Sequence, residues 1–397
     1  MITDLKKKLD RLASTPIQQA PKKKHDISAV IGAECVQKEN GGYLLRRIKY
    51  AVGAIYGDYT LENVEKTFGL KERLLFLDTE TTGLGSVACP FLIGVSYFDE
   101  NSLVLEQYFM RDIDDEACVL EEIVKKYSGM TVVSYNGKSF DVPLIKARCT
   151  LNAVNCKAFA TKQSDLLHLC RRIWKKRLEN CRLSTIEEEI LKLKREDDIP
   201  GSEIPEMYKR YLESGNGQEM LKVIEHNESD VVSMSVILCR LIRIFGDPVG
   251  QLDDIRDVMH LGESYYAKKD FKRSLECFEA ALKGSKDAMT SYNCMKYISF
   301  IHKKNKEYSR AVELWQKMER IMPSAVLPLE ELAKYYEHVQ KDIAKALDCA
   351  NKARKNALLS GAKELRAQLD KRIERLNKKR GAIDATSYEE DFDKWVF

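Results

Sequence analysis

Asp78 and Glu80, two carboxylates one residue apart, close the apolar run Leu74-Leu75-Phe76-Leu77 and lead into Thr81-Thr82-Gly83-Leu84. Side chains two apart in an extended chain share a face, so both acids leave the same side of a strand end. Like charges held this close at the edge of a core repel, and a divalent cation relieves the repulsion. A strand that simply ends in a polar turn explains one acid, not a same-face pair followed by Thr-Thr-Gly. Further groups extend the set. Asp141 follows the turn dipeptide Asn136-Gly137 and stands near a helix start, where backbone N–H groups favour an anion and where an ordinary helix cap would also sit. His226 and Asp230 are four apart on a helical stretch and share its face, with Val231, Met234 and Ile237 turning that helix inward. Oxygen donors without cysteine suit Mg or Mn better than zinc. Two such cations about 3.5–4 Å apart can grip a phosphodiester between them. A His beside the attacking water can take its proton, because its pKa lies near neutral pH.

The elements that must position these groups follow from the hydropathy pattern. Strands are expected at 73–78, 90–98 and 102–110, the last two joined as a hairpin through Asp99-Glu100-Asn101-Ser102. An amphipathic helix spans 114–127, a short strand 131–135, a helix about Phe140 to Cys149, and a helical block 163–175. Residues 42–57 read as an extended segment at the domain edge, and 60–69 as a helix leading into the sheet. Leu183–Glu188 reads as a helix start with Ser184 as cap and Glu187 three residues on. The two prolines in Asp197–Pro205 forbid continuous helix and predict an ordered loop followed by a short helix. A long helix over 217–245 closes the domain, and Gly246-Asp247-Pro248-Val249-Gly250 marks its boundary. Three strands in a meander, then a helix and a further strand, make an α/β domain with a mixed central sheet flanked by helices.

From residue 251 onward the pattern is helix after helix. Ser274, Phe278 and Ala281 recur as Ala311, Trp315 and Met318 after 37 residues, and Ala346, Ala350 and Ala353 repeat the spacing 35 residues later. Such a pattern lets paired helices stack closely, and its period is near that of tetratricopeptide repeats. The expected layout is a flexible basic segment at 1–40 carrying Lys22-Lys23-Lys24, the α/β domain at 41–248, helical repeats at 251–380 and an acidic tail at 381–397. The 397 residues hold 65 Lys and Arg against 61 Asp and Glu, so any nucleic-acid contact must come from local patches. The 11 cysteines form no CxxC pair, which points to reduced thiols and away from structural zinc. With no secretory leader at Met1 and no apolar run long enough for a bilayer, the expected location is the cytoplasm.

Phe76–Leu84, Asn136–Leu144 and His226–Asp230, in this order, resemble the three motifs of the DEDD 3'-5' exonuclease superfamily, which has the ribonuclease H-like fold. Ser134–Asp141 and Asp165–Leu169 are most similar to the bacterial YprB-like group, whose members join such a domain to tetratricopeptide-like helices. The resemblance implies two divalent cations, Mg or Mn. Asp78 would bridge them, Glu80 and Asp230 would hold the one that activates water, Asp141 the other, and His226 would be the general base. His226 stands four residues before Asp230, whereas the superfamily places a catalytic His five before. Asp165 reads as a helix cap, with support of the site as its other reading. Thr81, Thr82, Asn136 and Lys138 are candidate contacts to the terminal nucleotide. Arg171, Arg172 and Trp174 are candidates to follow the phosphate backbone. The implied activity is metal-dependent 3'-5' exonucleolytic hydrolysis of DNA or RNA. The alternatives are a structure-selective endonuclease on the same fold and a scaffold whose repeats recruit a protein partner.

Overall fold

The computed structural model describes residues 27–83 and 88–396, with side chains up to Gly381. Residues 1–26 of the expected basic segment, with the Lys22-Lys23-Lys24 run, lie outside the described residues. The chain divides into two compact units, one running to Cys170 with Asn180–Ile242, the other comprising Arg171–Glu179 and Arg243 onward.

The first unit is built on a seven-stranded sheet. Its strands are β1 (Glu34–Lys38), β2 (Gly41–Ala51), β5 (Leu74–Thr81), β6 (Pro90–Asp99), β7 (Ser102–Phe109), β8 (Thr131–Ser134) and β9 (Gln163–Asp165), in the order β1-β2-β7-β6-β5-β8-β9. A small ladder, β3 (Ile55–Tyr56) with β4 (Tyr59–Thr60), lies apart from it. Strand β5 pairs antiparallel with β6 and parallel with β8. Leu75, Phe76 and Leu77 are fully buried, as befits a near-continuous apolar strand covered on both faces. The sheet starts earlier than expected, with β1 after helix α1 (Ile27–Ile31), and the extended stretch within 42–57 is mainly β2, second from the sheet edge. The helix expected at 60–69 is a single turn, α2 (Val64–Thr67), capped by Asn63.

Helices α3 (Glu116–Lys126) and α4 (Asp141–Leu151) follow β7 and β8. The block 163–175 opens as β9, pairing with β8, and becomes helix α5 (Leu166–Trp174) only afterwards. In α6 (Leu183–Ile186) the capping residue is Arg182, with no side-chain cap bond, so Ser184 does not cap. Glu187 is drawn instead to a buried guanidinium described below. Two more helices complete this stretch, α7 (Ile204–Ser214) and the 27-residue α8 (Met220–Gly246).

The second unit is a run of helices, α9 (Pro248–Gln251), α10 (Ile255–Ala267), α11 (Phe271–Gly284), α12 (Ala288–Lys304), α13 (Tyr308–Ile321), α14 (Leu327–Tyr335), α15 (Ile343–Leu359) and α16 (Lys363–Val396). The recurring i, i+4 and i+7 positions are its core: Phe278, Ala281, Ala311, Trp315, Met318, Ala346, Ala350 and Ala353 are all buried. Gly262 permits a close approach, since a Cβ there would stand 3.0 Å from the Cys277 Cβ and 3.3 Å from the Phe278 ring. The last helix keeps its backbone regular through the acidic tail, which has no proline to stop it. Three turns within the helix pairs place a lysine in the left-handed region, Lys269 (φ 64°), Lys306 (φ 63°) and Lys341 (φ 59°). That conformation costs a side-chain-bearing residue roughly 1–2 kcal/mol, and glycine is its usual occupant.

Candidate active site

Asp78 and Glu80 lie on the part of β5 that extends past its pairing with β8, so they reach the open C-terminal end of the parallel pair. Across the sheet Asp78 sits opposite Gly94, Gly94 opposite Gln107, and Gln107 opposite Arg46. Helix α8 descends onto this row through Asn227, which is fully buried. Its Nδ2 donates to Asp78 Oδ2 at 2.9 Å, and its Oδ1 accepts from Gln107 Nε2 at 2.9 Å. The glycine is required there, because a Cβ at Gly94 would stand 2.0 Å from Asn227 Oδ1. At the far end of the row Arg46 Nη1 donates to Gln107 at 2.7 Å and to Glu228 at 2.5 Å, and Tyr50 also donates to Glu228.

Asp141 arrives from the other side of β5. Thr79 alternates with Asp78 and Glu80, and its Oγ1 donates to Asp141 Oδ1 at 2.5 Å. The turn that delivers Asp141 is held by Asp165, which accepts from the backbone N–H of Asn136 at 2.9 Å and of Lys138 at 3.3 Å. Asp165 also accepts from Leu167 N–H at 3.0 Å. It is therefore both the cap of α5 and the anchor of the turn. Asn136 takes a left-handed φ of 68°, which Asn tolerates, and a Cβ at Gly137 would press on Ser134 at 2.6 Å and on Asp141 Oδ2 at 2.8 Å.

Asp230, on α8, meets a cation. Arg195 Nη2 donates to Asp230 Oδ1 at 2.5 Å and to Glu187 Oε1 at 2.6 Å, and Nη1 reaches Asp198 Oδ2 at 3.3 Å. Glu187 is 1% exposed and also accepts from Ser233, whose hydroxyl lies 2.9 Å from that of Tyr56. Asp198 Oδ1 stands 2.7 Å from His226 Nδ1, while His226 Nε2 is 3.8 Å from Asp230 Oδ2. The imidazole is thus gripped on one nitrogen and turned toward the carboxylates with the other.

The electrostatics follow from this crowding. Burial, then the charges of Asp230 and Asp141, push the Asp78 carboxyl well above the usual range, with Asn227 opposing. Burial and the charges of Asp78, Asp230 and Asp141 do the same to Glu80. Burial raises Asp141 against the pull of Thr79, and Asp165 adds to the rise. Burial disfavours the charged Arg195, but Asp230 and Glu187 outweigh it and hold the guanidinium protonated more firmly than usual. Burial would raise Asp198 too, yet the His226 bond and the charges of His226 and Arg195 keep it low. Among the described residues, no three of His, Cys, Asp and Glu converge as a finished metal cage. The donor set still fits a hard divalent cation: it is all oxygen, and its members raise one another's pKa, a repulsion such a cation relieves.

The remaining sequence-selected residues separate. Thr81 Oγ1 donates to the Gly83 carbonyl at 2.7 Å, Thr82 Oγ1 accepts from Cys89 N–H at 3.0 Å, and Lys138 is exposed beside Asp141. A cavity of about 510 Å³, lined by Thr79, Thr81, Ala88, Phe140, Asp141 and Leu144 among others, opens next to Asp141. Phe140 is 60% exposed in its wall. Arg172 and Trp174 belong to the second unit, where Trp174 is buried and Arg172 lies over the Phe245 ring at 4.7 Å with Nε donating to Ser264 at 2.9 Å. Their groups are engaged in packing; Arg171 is exposed. Sequence reasoning did not select Thr79, Gly94, Asn227, Arg195 or Asp198, and it read Glu187 as part of a cap. The signal for Asp198 and Arg195 was an acidic, proline-bounded loop with an Arg just before it.

Comparison with known proteins agrees with this fold. A family profile described as RNase_H superfamily matches residues 75–242. The Bacillus subtilis (strain 168) protein YprB, uncharacterized, is 28% identical over 360 residues, 85% of this chain and 86% of its own length. The uncharacterized protein MJ0365 of Methanocaldococcus jannaschii is 27% identical over 167 residues, 39% of this chain and 87% of its own. Among solved structures, the family B DNA polymerase of Pyrobaculum calidifontis aligns at 14% identity and a TM-score of 0.33, over 59% of this chain and 29% of that one. The chain thus carries an RNase H-like domain, a fold that supports nucleic-acid processing in general, and it is distantly similar to YprB. No helix among the described residues is long and apolar enough to cross a membrane.

Proposed function

We propose that the protein is a metal-dependent 3'-5' exonuclease of the DEDD type, joined to tetratricopeptide-like repeats. The observation that carries this reading is the mutual influence of carboxylates from three elements around the end of β5: Asn227 ties α8 to Asp78 at 2.9 Å, the charges of Asp230 and Asp141 push Asp78 up, and those of Asp78, Asp230 and Asp141 push Glu80 up. These four carboxylates would hold two Mg or Mn ions. When bound, such ions polarise the phosphodiester, favour hydroxide over water and stabilise the departing 3' oxygen.

The chain's own residues prepare that site. Asn227 fixes the Asp78 carboxylate by one oxygen. Arg195 takes Asp230 Oδ1 and leaves Oδ2 available. Asp198 holds His226 by Nδ1, which directs Nε2 toward Asp230, the place a general base would take. The cavity walled by Phe140 beside Asp141 has the apolar lining and the volume to take a terminal nucleotide, and the exposed Lys138, three residues before Asp141, is a candidate contact to the scissile strand.

Polarity is tested with 5'-labelled single strands of DNA and RNA, each with a free or a phosphate-blocked 3' end, and with a circular strand. A ladder shortening from the free 3' end, and an intact circle, are expected. Cutting of the circle would replace the exonuclease with an endonuclease on the same ligands.

A further inference from the structure

The second unit carries its charge unevenly. Its helices pack in sequence as pairs, α10 with α11, α12 with α13 and α14 with α15, joined by short turns. Consecutive helices linked this way run antiparallel, so the turns inside the pairs fall on one edge of the stack and the turns between pairs on the other. Contacts across pairs show the first edge to be continuous. Lys304, ending α12, lies 3.6 Å from the centre of the Phe271 ring that begins α11, and the ring of Tyr308, beginning α13, packs tilted at 37° with its centre 6.0 Å from that of Tyr335, which ends α14.

That edge is basic. Residues 268–273, 303–310 and 341–345 hold ten Lys and Arg against three acids. Residues 283–287, 319–326 and 359–364, forming the opposite edge with the same total length, hold four against three. Two of the three acids on the basic edge are committed as helix caps: Asp270 accepts from Arg273 N–H and Asp342 from Lys345 N–H. The third, Glu307, is paired with His302. Lys268, Lys269, Lys306 and Lys341 are exposed and make no ion pair among the described residues. Three of these four hold the left-handed turn position described above. Favourable charge at a helix C-terminus explains basic residues near these turns, but it needs no lysine in a conformation that glycine adopts freely.

We propose that this edge binds a nucleic-acid backbone, with Lys269, Lys306 and Lys341 each meeting a phosphate. A row of unpaired cations on successive repeats fits an extended polyanion, and a protein surface would have to supply an equally regular row of acids. The choice of nucleic acid among polyanions rests on the proposed nuclease activity; the edge itself does not.

The test measures binding of the full chain to a fluorescent 30-nucleotide single strand in chelator, where no cleavage occurs, across a salt series. The variant Lys269→Gln/Lys306→Gln/Lys341→Gln is expected to bind on the order of hundredfold more weakly at 0.1 M salt, and its salt slope to shrink by about 2 units. The corresponding triple Arg variant should bind as the wild type does, and so should Lys286→Gln on the opposite edge. All substituted side chains are exposed, and an unchanged thermal midpoint verifies folding. Unchanged affinity and slope in the triple Gln variant, absence of any binding by the wild type, or an equal loss from Lys286→Gln would overturn the proposal. If Asp78→Ala still cleaved while the triple Gln variant lost binding, the nuclease reading would fall and this surface would stand. Metal-dependent cleavage with unchanged binding would do the reverse.

Discussion

Replacing Arg195 with Met removes the one guanidinium that joins Glu187 to Asp230. Glu187 has a side-chain exposure of 1%, Arg195 of 12% and Asp230 of 17%, so water does little to screen the charges left behind. Glu187 Oε2 is already buried without a hydrogen-bond partner, so losing Arg195 leaves Ser233 as its one remaining donor. Breaking a buried pair by deleting one partner costs about 3–5 kcal/mol. For a unit of roughly 200 residues, each kcal/mol moves the thermal midpoint by about 2–4 °C, so a fall of about 6–20 °C is expected. The assay is thermal unfolding by circular dichroism in chelator, with Glu187→Gln and the double variant Arg195→Met/Glu187→Gln alongside. The double variant should recover part of the loss, because the most buried carboxylate has gone with its partner. Addition of Mn should stabilise Arg195→Met more than the wild type, since a cation then relieves Asp230 as well. A single variant melting within about 2 °C of the wild type would refute the claim that Arg195 neutralises this cluster.

Other substitutions probe the rest of the site. Gly94→Ala drives a Cβ into Asn227 Oδ1 and should cost about 1–3 kcal/mol by denaturant unfolding, with Asn227→Ala in the same chain restoring much of it. In chelator the native state keeps protons on Asp78, Glu80 and Asp141 that the unfolded chain releases, so this cluster's contribution falls as pH rises above the ordinary carboxylate range. Asp78→Asn should therefore stabilise the protein at pH 8 relative to wild type, and the gain should shrink toward pH 4 in parallel melts. Asp198→Asn should lower the cleavage rate by roughly 10- to 100-fold, short of the full 10²–10⁴ worth of a general base, while leaving Mn affinity by calorimetry within about threefold.

The apolar run Leu74–Leu77 closing on Asp78 and Glu80, and the turn at Asn136-Gly137, were enough to read the central strand, its same-face acids and the mixed sheet, because burial on two faces leaves a plain apolar run. The recurrence of Ala311, Trp315 and Met318 at i, i+4 and i+7 likewise announced close helix stacking. What the sequence left hidden depends on contacts between distant segments. Gly94 looks like any strand glycine until Asn227 is placed over it. Arg195 and Asp198 sit in an irregular loop whose course no periodicity reports. Glu187 has cap spacing after Ser184, but a buried guanidinium outbids a cap. Arg172 and Trp174 read as groups that follow a phosphate backbone, and no periodicity reports that Trp174 is buried and that Arg172 lies over Phe245.

The central claim is that Asp78 and its neighbours hydrolyse phosphodiester bonds with divalent cations. The most direct measurement is digestion of labelled single strands by wild type and Asp78→Ala, side by side, with Mn, with Mg and with chelator. Cleavage by the wild type that needs the metal, and its loss in an Asp78→Ala protein that still folds, is the predicted result. Cleavage by a clean preparation of Asp78→Ala at the wild-type rate would contradict it.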